Sequence, residues 1–252
     1  MVTIHCACHC ASTLSDMNWD DYAAALFDLD GVVTPTAEVH MRAWSAMFNE
    51  FLTARGVTEP YTDEDYFAHV DGKPRYEGVA AFLASRDIEL PQGDPSDPTS
   101  ADTVCGLGNR KNDAFNEVLE SDGVEAYPGS VRLLEALAAR NFPMAIVSSS
   151  KNAPAVLKAA GVDHFFPFVM HGGLAAERGI AGKPAPDTFV AAAEALGVTP
   201  AQSVVLEDAL SGVQAGAAGG FGLVIGVDRG AGSAALTDAG ATLVVTDLEE
   251  LL

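Results

Sequence analysis

The strongest constraint on the fold of this chain is a rhythm: short, unbroken apolar runs alternate with segments of helical period. Residues 22–29, 144–147, 168–170, 203–206, 222–227 and 242–245 read as strands. Runs without polar alternation need cover on both faces, which is the pattern of a parallel sheet. Between them, 152–160, 187–196 and 209–218 repeat apolar residues at helical spacing. This order predicts an α/β protein with a doubly wound, parallel sheet. Such sheets bind ligands at the carboxyl ends of their strands, so the polar residues that end these runs are the first candidates for chemistry.

Residues 41–126 break the rhythm. They read as helices over 41–55, 63–69, 75–85 and 107–120, with no strand among them. The break Leu90-Pro91-Gln92-Gly93-Asp94-Pro95-Ser96-Asp97-Pro98 is a surface loop by composition. A helical insert after the first strand implies a cap on a core. The 252 residues suit one large domain or two small ones. The expected division is a leader at 1–18, a core at 19–40 and 127–252, and a helical cap at 41–126.

Composition narrows the function classes. Lys and Arg number 14 against 35 Asp and Glu, a formal net charge of −21. So acidic a surface repels phosphate backbones and anionic lipid, which argues against nucleic-acid and membrane-surface roles. No apolar run approaches the ~20 residues that span a bilayer, and 1–16 lacks the basic start and apolar stretch of a secretory signal. The expectation is a cytoplasmic, monomeric protein acting on a small molecule. Three of the four cysteines lie in His5-Cys6-Ala7-Cys8-His9-Cys10. Without a second ligand pair downstream, this cluster reads as leader, or as sequence ahead of a start at Met17, with zinc binding as the alternative.

Asp28 and Asp30 end the first strand two residues apart, so both can face one side of an extended backbone. Gly31 lets the chain turn sharply behind them. Two carboxylates so close repel unless one is protonated or a cation lies between them. A hard divalent ion with oxygen ligands, Mg²⁺ beside phosphates, resolves the repulsion; an acidic turn closing a strand is the plainer alternative. Glu207-Asp208 ends another strand and offers the same ion more oxygens. Ser148-Ser149-Ser150-Lys151-Asn152 ends a third, with hydroxyls and amides near a helix start suited to phosphoryl oxygens. Gly182-Lys183-Pro184-Ala185-Pro186-Asp187 sets a lysine in a proline-stiffened loop before a helix, where it can balance an incoming phosphate. Singly, Ser148 reads as a helix cap, Lys183 as a solvated loop charge, and Glu207 and Asp208 as surface acids. Jointly and in this order, they point to phosphoryl chemistry.

The set Asp28-Leu29-Asp30-Gly31-Val32-Val33-Thr34, Ser148, Lys183 and Glu207-Asp208 resembles the four motifs of the haloacid dehalogenase-type (HAD) phosphotransferase superfamily, from about residue 23 to the C-terminus. The helical insert resembles that superfamily's cap. More narrowly, Thr36-Ala37-Glu38-Val39-His40-Met41-Arg42-Ala43-Trp44, Arg110-Lys111-Asn112-Asp113, Tyr127-Pro128-Gly129, the 148–152 run and Lys183-Pro184-Ala185-Pro186-Asp187 are similar to the β-phosphoglucomutase family. One region departs. Val70-Asp71-Gly72-Lys73-Pro74-Arg75 stands where the family's cap loop carries a substrate-contacting lysine and arginine. Arg75 matches the arginine, but Asp71 falls at the lysine, with Lys73 two residues later.

The resemblance implies a Rossmann-like core that transfers phosphoryl groups beneath a closing cap. In that reading Asp28 is the nucleophile, forming an aspartyl-phosphate, and Asp30 the general acid and base, with Ser148 and Lys183 completing the catalytic set. Mg²⁺ would be held by Asp28, Asp30 through its backbone carbonyl, and Asp208, with Glu207 in support. Thr36 and His40 would couple closure to Asp30. Arg75 and Lys111 would bind the distal phosphate, assisted by Asn112, Ser150, Lys151 and Asn152. The family's reaction interconverts β-glucose 1-phosphate and glucose 6-phosphate through glucose 1,6-bisphosphate. A Mg²⁺-dependent sugar-phosphate phosphatase would share every core residue, and a non-catalytic module retaining the fold is the remaining alternative.

Overall fold

The computed structural model describes residues 17–252, and the Cys/His cluster and most of the expected leader lie outside them. Six strands form one all-parallel sheet: β1 (Ala24–Phe27), β2 (Met144–Val147), β3 (Phe168–Met170), β4 (Ser203–Glu207), β5 (Leu223–Val227) and β6 (Leu243–Val245). Their order is β3-β2-β1-β4-β5-β6. The apolar runs are continuous because both faces of the sheet are covered. Ala25 and Phe27 of β1, Met144 and Ile146 of β2, and Val204 and Leu206 of β4 enter one cluster. Leu26, Ala145, Val147 and Val205 enter a second, on the other face. This is the two-residue alternation of a strand carried through three neighbours. Each large side chain so buried contributes about 1.5–3 kcal/mol.

Helices α5 (Pro128–Ala139) and α6 (Ala153–Ala159) supply the first face with Leu133, Leu134, Leu137, Val156 and Leu157. The second face takes Phe189, Ala192 and Ala193 from α8 (Asp187–Ala195) and Ala215 from α9 (Leu210–Ala218). Three helices add to those expected: α5, α7 (Gly172–Arg178) and α10 (Ser233–Ala239). The last two span seven residues each, and α7 opens on two glycines, so their helical period is weak in sequence.

Between β1 and β2 the chain is helical: α1 (Thr36–Ala54), α2 (Asp63–Asp65), α3 (Arg75–Ser85) and α4 (Val104–Asp122). Trp44, Phe48, Phe51, Tyr61, Tyr66, Phe82 and Leu107 pack there into an apolar cluster apart from those on the sheet. Helix α1 begins five residues before the expected Met41, because Pro35 leads in with a helix-compatible φ of −76°. Thr36 and His40 therefore stand on its first turns. The helix expected over 63–69 is interrupted: after α2 comes a π-helical turn, Tyr66–Val70, closed by Asp71 N–H donating to Tyr66 O at 2.9 Å. Among the described residues no helix is long and apolar enough to cross a membrane. Since β1 has β2 on one side and β4 on the other, the sheet order reverses at β1, and a crevice opens at its carboxyl end.

Candidate active site

The register levels the strand ends. Phe27 pairs with Ile146 and with Leu206, so Asp28, Val147 and Glu207 emerge side by side. Lys183, only 1% exposed, reaches in from the loop before α8. Its ammonium donates to Asp28 Oδ1 at 2.5 Å, to Val147 O at 2.9 Å and to Glu207 Oε1. Burial works against its charge, but Asp28 and Glu207 outweigh that and raise its pKa. Burial also pushes the Asp28 carboxyl well above the usual range; Lys183 opposes this, and Glu207 and Asp30 add to it. Asp208 is driven up by burial, then by Asp71, Glu207 and Asp28. Two buried carboxylates thus share one ammonium, with Asp208 a third acid beside them. The lysine stays charged, and two of the acids are hard to ionise without further positive charge.

That excess of negative charge is what a divalent cation would relieve, and the donors are hard oxygens, as Mg²⁺ requires. The two acidic pairs nevertheless divide their side chains between different partners. Glu207 is occupied by Lys183 and by the Ala209 N–H, at 2.8 Å. Asp30 turns its side chain to Thr36 Oγ1, to Ser148 Oγ at 3.3 Å and to His40. Among the described residues no three His, Cys, Asp or Glu side chains make a ready metal cluster. The side chains left to such an ion are Asp28 and Asp208, and Asp208 lies directly against the backbone at Gly31. There φ is +88°, and an added Cβ would run into the Asp208 carboxylate. Gly31→Ala is therefore expected to lower stability by about 1–3 kcal/mol and turnover by about 10²-fold, checked by urea unfolding and steady-state kinetics.

The turn that carries Asp30 is braced from several directions. Gly31 N–H donates to Thr34 O at 2.7 Å, and Ser130 Oγ donates to Val32 O at 2.7 Å. Arg229, its guanidinium carbon 4.0 Å from the centroid of the Tyr127 ring, donates from Nε to Gly31 O at 2.9 Å. Arg229 carries no sequence signal, whereas Tyr127-Pro128-Gly129 marked its neighbourhood. On the insert side, His40 stacks on Phe115 with centroids 4.0 Å apart. Its Nε2 lies 3.4 Å from Asp30 Oδ1, within reach of charge attraction but without hydrogen-bond alignment. Lys111 donates to His40 Nδ1 and lies over the Trp44 and Phe115 rings at 4.9 and 5.1 Å. Burial, then Arg75, brings Lys111 down to about 7. Burial and Lys111 likewise lower His40, against the pull of Asp30. Burial favours a neutral Asp30, but His40, Thr36 and Lys111 together hold its carboxyl at about 2.

Further along the insert, Arg75 donates to Asn112 Oδ1 at 2.5 Å and to Asn109 Oδ1 at 3.4 Å, and Asn152 donates to Asn112 Oδ1 at 2.9 Å. A cavity of about 600 Å³ joins the two regions, and Asp28, Ser148, Asp208, Arg75, Lys111 and Lys151 all line it. Ser150 and Asn152 line it too, from the loop after β2, where Ser148 Oγ accepts Ser150 N–H at 3.1 Å and Ser150 Oγ accepts Asn152 N–H at 3.2 Å. Ser149, which the sequence grouped with this phosphate-suited run, instead donates to Gly72 O at 2.7 Å and ties the insert to the sheet.

Comparison with known proteins agrees with this geometry. Residues 22–220 match the family model of haloacid dehalogenase-like hydrolases. A β-phosphoglucomutase of Mycobacterium bovis is 50% identical over 238 residues, covering 91% of each chain. A fructose-1-phosphate phosphatase of Escherichia coli is 33% identical, over 82% of this chain and 97% of its own. The crystal structure of a β-phosphoglucomutase from Clostridium difficile superposes with a TM-score of 0.72 at 25% identity, covering 92% of this chain and 93% of the other. The chain belongs to the haloacid dehalogenase-like hydrolases and, within them, to the β-phosphoglucomutase family.

Proposed function

We propose that this protein is a β-phosphoglucomutase, interconverting β-glucose 1-phosphate and glucose 6-phosphate through glucose 1,6-bisphosphate, with Mg²⁺ as cofactor and free sugar phosphates of the cytoplasm as substrates. One observation carries the reading. A single cavity takes an ammonium-paired aspartate from the sheet and an arginine from the insert, which suits a sugar phosphorylated at both ends. The 50% identity to a β-phosphoglucomutase supports the same choice.

On this reading, Lys183 holds Asp28 Oδ1, and the other carboxylate oxygen attacks phosphorus. A bond forms from Asp28 to the phosphoryl group as the bond from phosphorus to the sugar oxygen breaks. The leaving oxygen takes its proton from Asp30. In the other half, Asp30 accepts the proton of the 6-hydroxyl of β-glucose 1-phosphate as that oxygen takes the phosphoryl group from Asp28, which forms glucose 1,6-bisphosphate and frees the Asp28 carboxylate. Asp28 and Asp208, with the Asp30 carbonyl, would hold the cation, which when bound supplies positive charge against the phosphoryl oxygens. Lys183 adds fixed charge, and Ser148 Oγ with the backbone amides after Asp28 donates to the transferring group. A carboxyl held at about 2 is ionised, so it has a vacant site for a proton but is a weak base. To donate one, Asp30 must lose positive neighbours, as happens when a phosphate draws Lys111 away from His40. Arg75, held by hydrogen bonds to Asn109 and Asn112, can grip the distal phosphate through two parallel hydrogen bonds.

A mutase must keep water from the phospho-aspartate until a sugar phosphate takes its phosphoryl group, and must hold the resulting bisphosphate while it turns, which assigns the helical insert the role of a closing cap. The test incubates the protein with β-glucose 1-phosphate, Mg²⁺ and a trace of glucose 1,6-bisphosphate. Glucose 6-phosphate should appear in step with substrate loss, with little inorganic phosphate. Phosphate release equal to substrate loss, without glucose 6-phosphate, would make the protein a phosphatase instead.

A further inference from the structure

We infer that Asp71 selects the sugar: its carboxylate hydrogen-bonds a ring hydroxyl of the substrate between the two phosphate-binding regions. The inference rests on the phosphoryl-transfer reading above and adds to it the group that reads the sugar itself. Asp71 lines the same cavity as Asp28, Asp208 and Arg75. Its backbone is fixed on both sides. The N–H closes the π-helical turn on Tyr66 O at 2.9 Å, and the carbonyl accepts from Ser211 Oγ at 2.9 Å. The next carbonyl, of Gly72, accepts from Ser149 Oγ at 2.7 Å. Gly72 has φ +68°, and a Cβ there would run into Ser211 and Ala209. A side chain carried on such a backbone cannot wander with its loop, and π-helical turns are frequent at functional sites.

The surroundings decide what Asp71 can meet. Burial first, then Glu207 and Asp30, push its carboxyl up to about 7 against the Tyr66 hydroxyl and Lys183. A phosphate brought to this point would face like charge, while Arg75, Lys111 and Lys151 offer it cations elsewhere in the cavity. A neutral hydroxyl is welcome whether Asp71 is ionised or not, since the carboxylate accepts and the carboxyl both donates and accepts. Sites built around a hydroxyl partner reject analogues that lack it, because the buried polar group is left unpaired.

The test measures kcat/KM of the wild-type protein, Asp71→Asn and Asp71→Ala for β-glucose 1-phosphate and its 2-, 3- and 4-deoxy analogues, with Mg²⁺ and glucose 1,6-bisphosphate present. Total consumption of sugar phosphate is followed. The wild type should use at least one deoxy analogue about 10–100-fold less well than the parent sugar, and that penalty should vanish in Asp71→Ala. Asp71→Asn, which keeps the shape, should fold like the wild type and carry a smaller penalty than it. A loss in the variants that is uniform across all four sugars overturns the inference, as does a wild type indifferent to every deoxy position. Consumption is read whether the product is glucose 6-phosphate or free sugar and phosphate. A hydrolytic outcome would therefore overturn the mutase reading and leave the result for Asp71 legible.

Discussion

Asp28→Asn should yield a folded protein that consumes β-glucose 1-phosphate at least about 10⁴-fold more slowly than the wild type. The amide keeps the shape of the side chain, and its oxygen can still accept from Lys183, but it cannot attack phosphorus. Asp28 lies among Asp30, Glu207 and Asp208, and the replacement removes one of these mutually repelling groups. Stability should therefore hold or rise. Two measurements separate chemistry from folding. Urea unfolding reports the fold, and mass spectrometry after acid quenching reports whether the protein gains one phosphoryl group from a bisphosphate donor, as the wild type should. Turnover within tenfold of wild type, or a phosphorylated variant, would remove Asp28 from the role of nucleophile.

Lys183→Met is expected to act the other way, on stability before chemistry. Its ammonium is fully enclosed and satisfies Asp28, Glu207 and the Val147 carbonyl at once. Removing one partner of a buried ion pair costs about 3–5 kcal/mol, since the other charge is left uncompensated. The pH dependence has a definite sign. In the variant the orphaned carboxylates have folded-state pKa values above their unfolded ones, so the deficit is present at neutral pH and shrinks as pH falls through those raised values. Denaturant unfolding at neutral and mildly acidic pH measures both. A deficit under about 1 kcal/mol at neutral pH would mean that the lysine is not what holds these acids together.

Much of this was legible because the sequence features are local. A strand buried on both faces must be continuously apolar, and β2 and β3 fall where 144–147 and 168–170 were expected. The residues after the strands were found by the same logic, and Asp28, Ser148 and Asp208 line one cavity, with Lys183 buried behind Asp28. What escaped depends on direction rather than on position. Asp28-Leu29-Asp30 by itself does not say where the second carboxylate points; its turn to Thr36 and His40, which only the family resemblance implied, depends on a helix start placed after Pro35. Glu207 was correctly put beside Asp208, but only the tertiary approach of Lys183 removes it from the donors left for a cation. The bond from Ser149 to Gly72 and the bracing of Gly31 by Arg229 join segments far apart in the chain, with no motif at either end.

The central position of β1 has a cost during synthesis. The strand bearing Asp28 is made first, yet its hydrogen-bonding neighbours are β2 and β4, and Lys183 follows Asp28 by 155 positions. A nascent chain therefore holds an apolar strand with both edges open until most of the polypeptide has left the ribosome, and closing such long loops makes folding slow. The insert, with its contacts among nearby helices, can settle earlier. Until β4 docks, the emerging chain exposes a sticky edge and no working site, a window in which association between unfinished copies competes with folding.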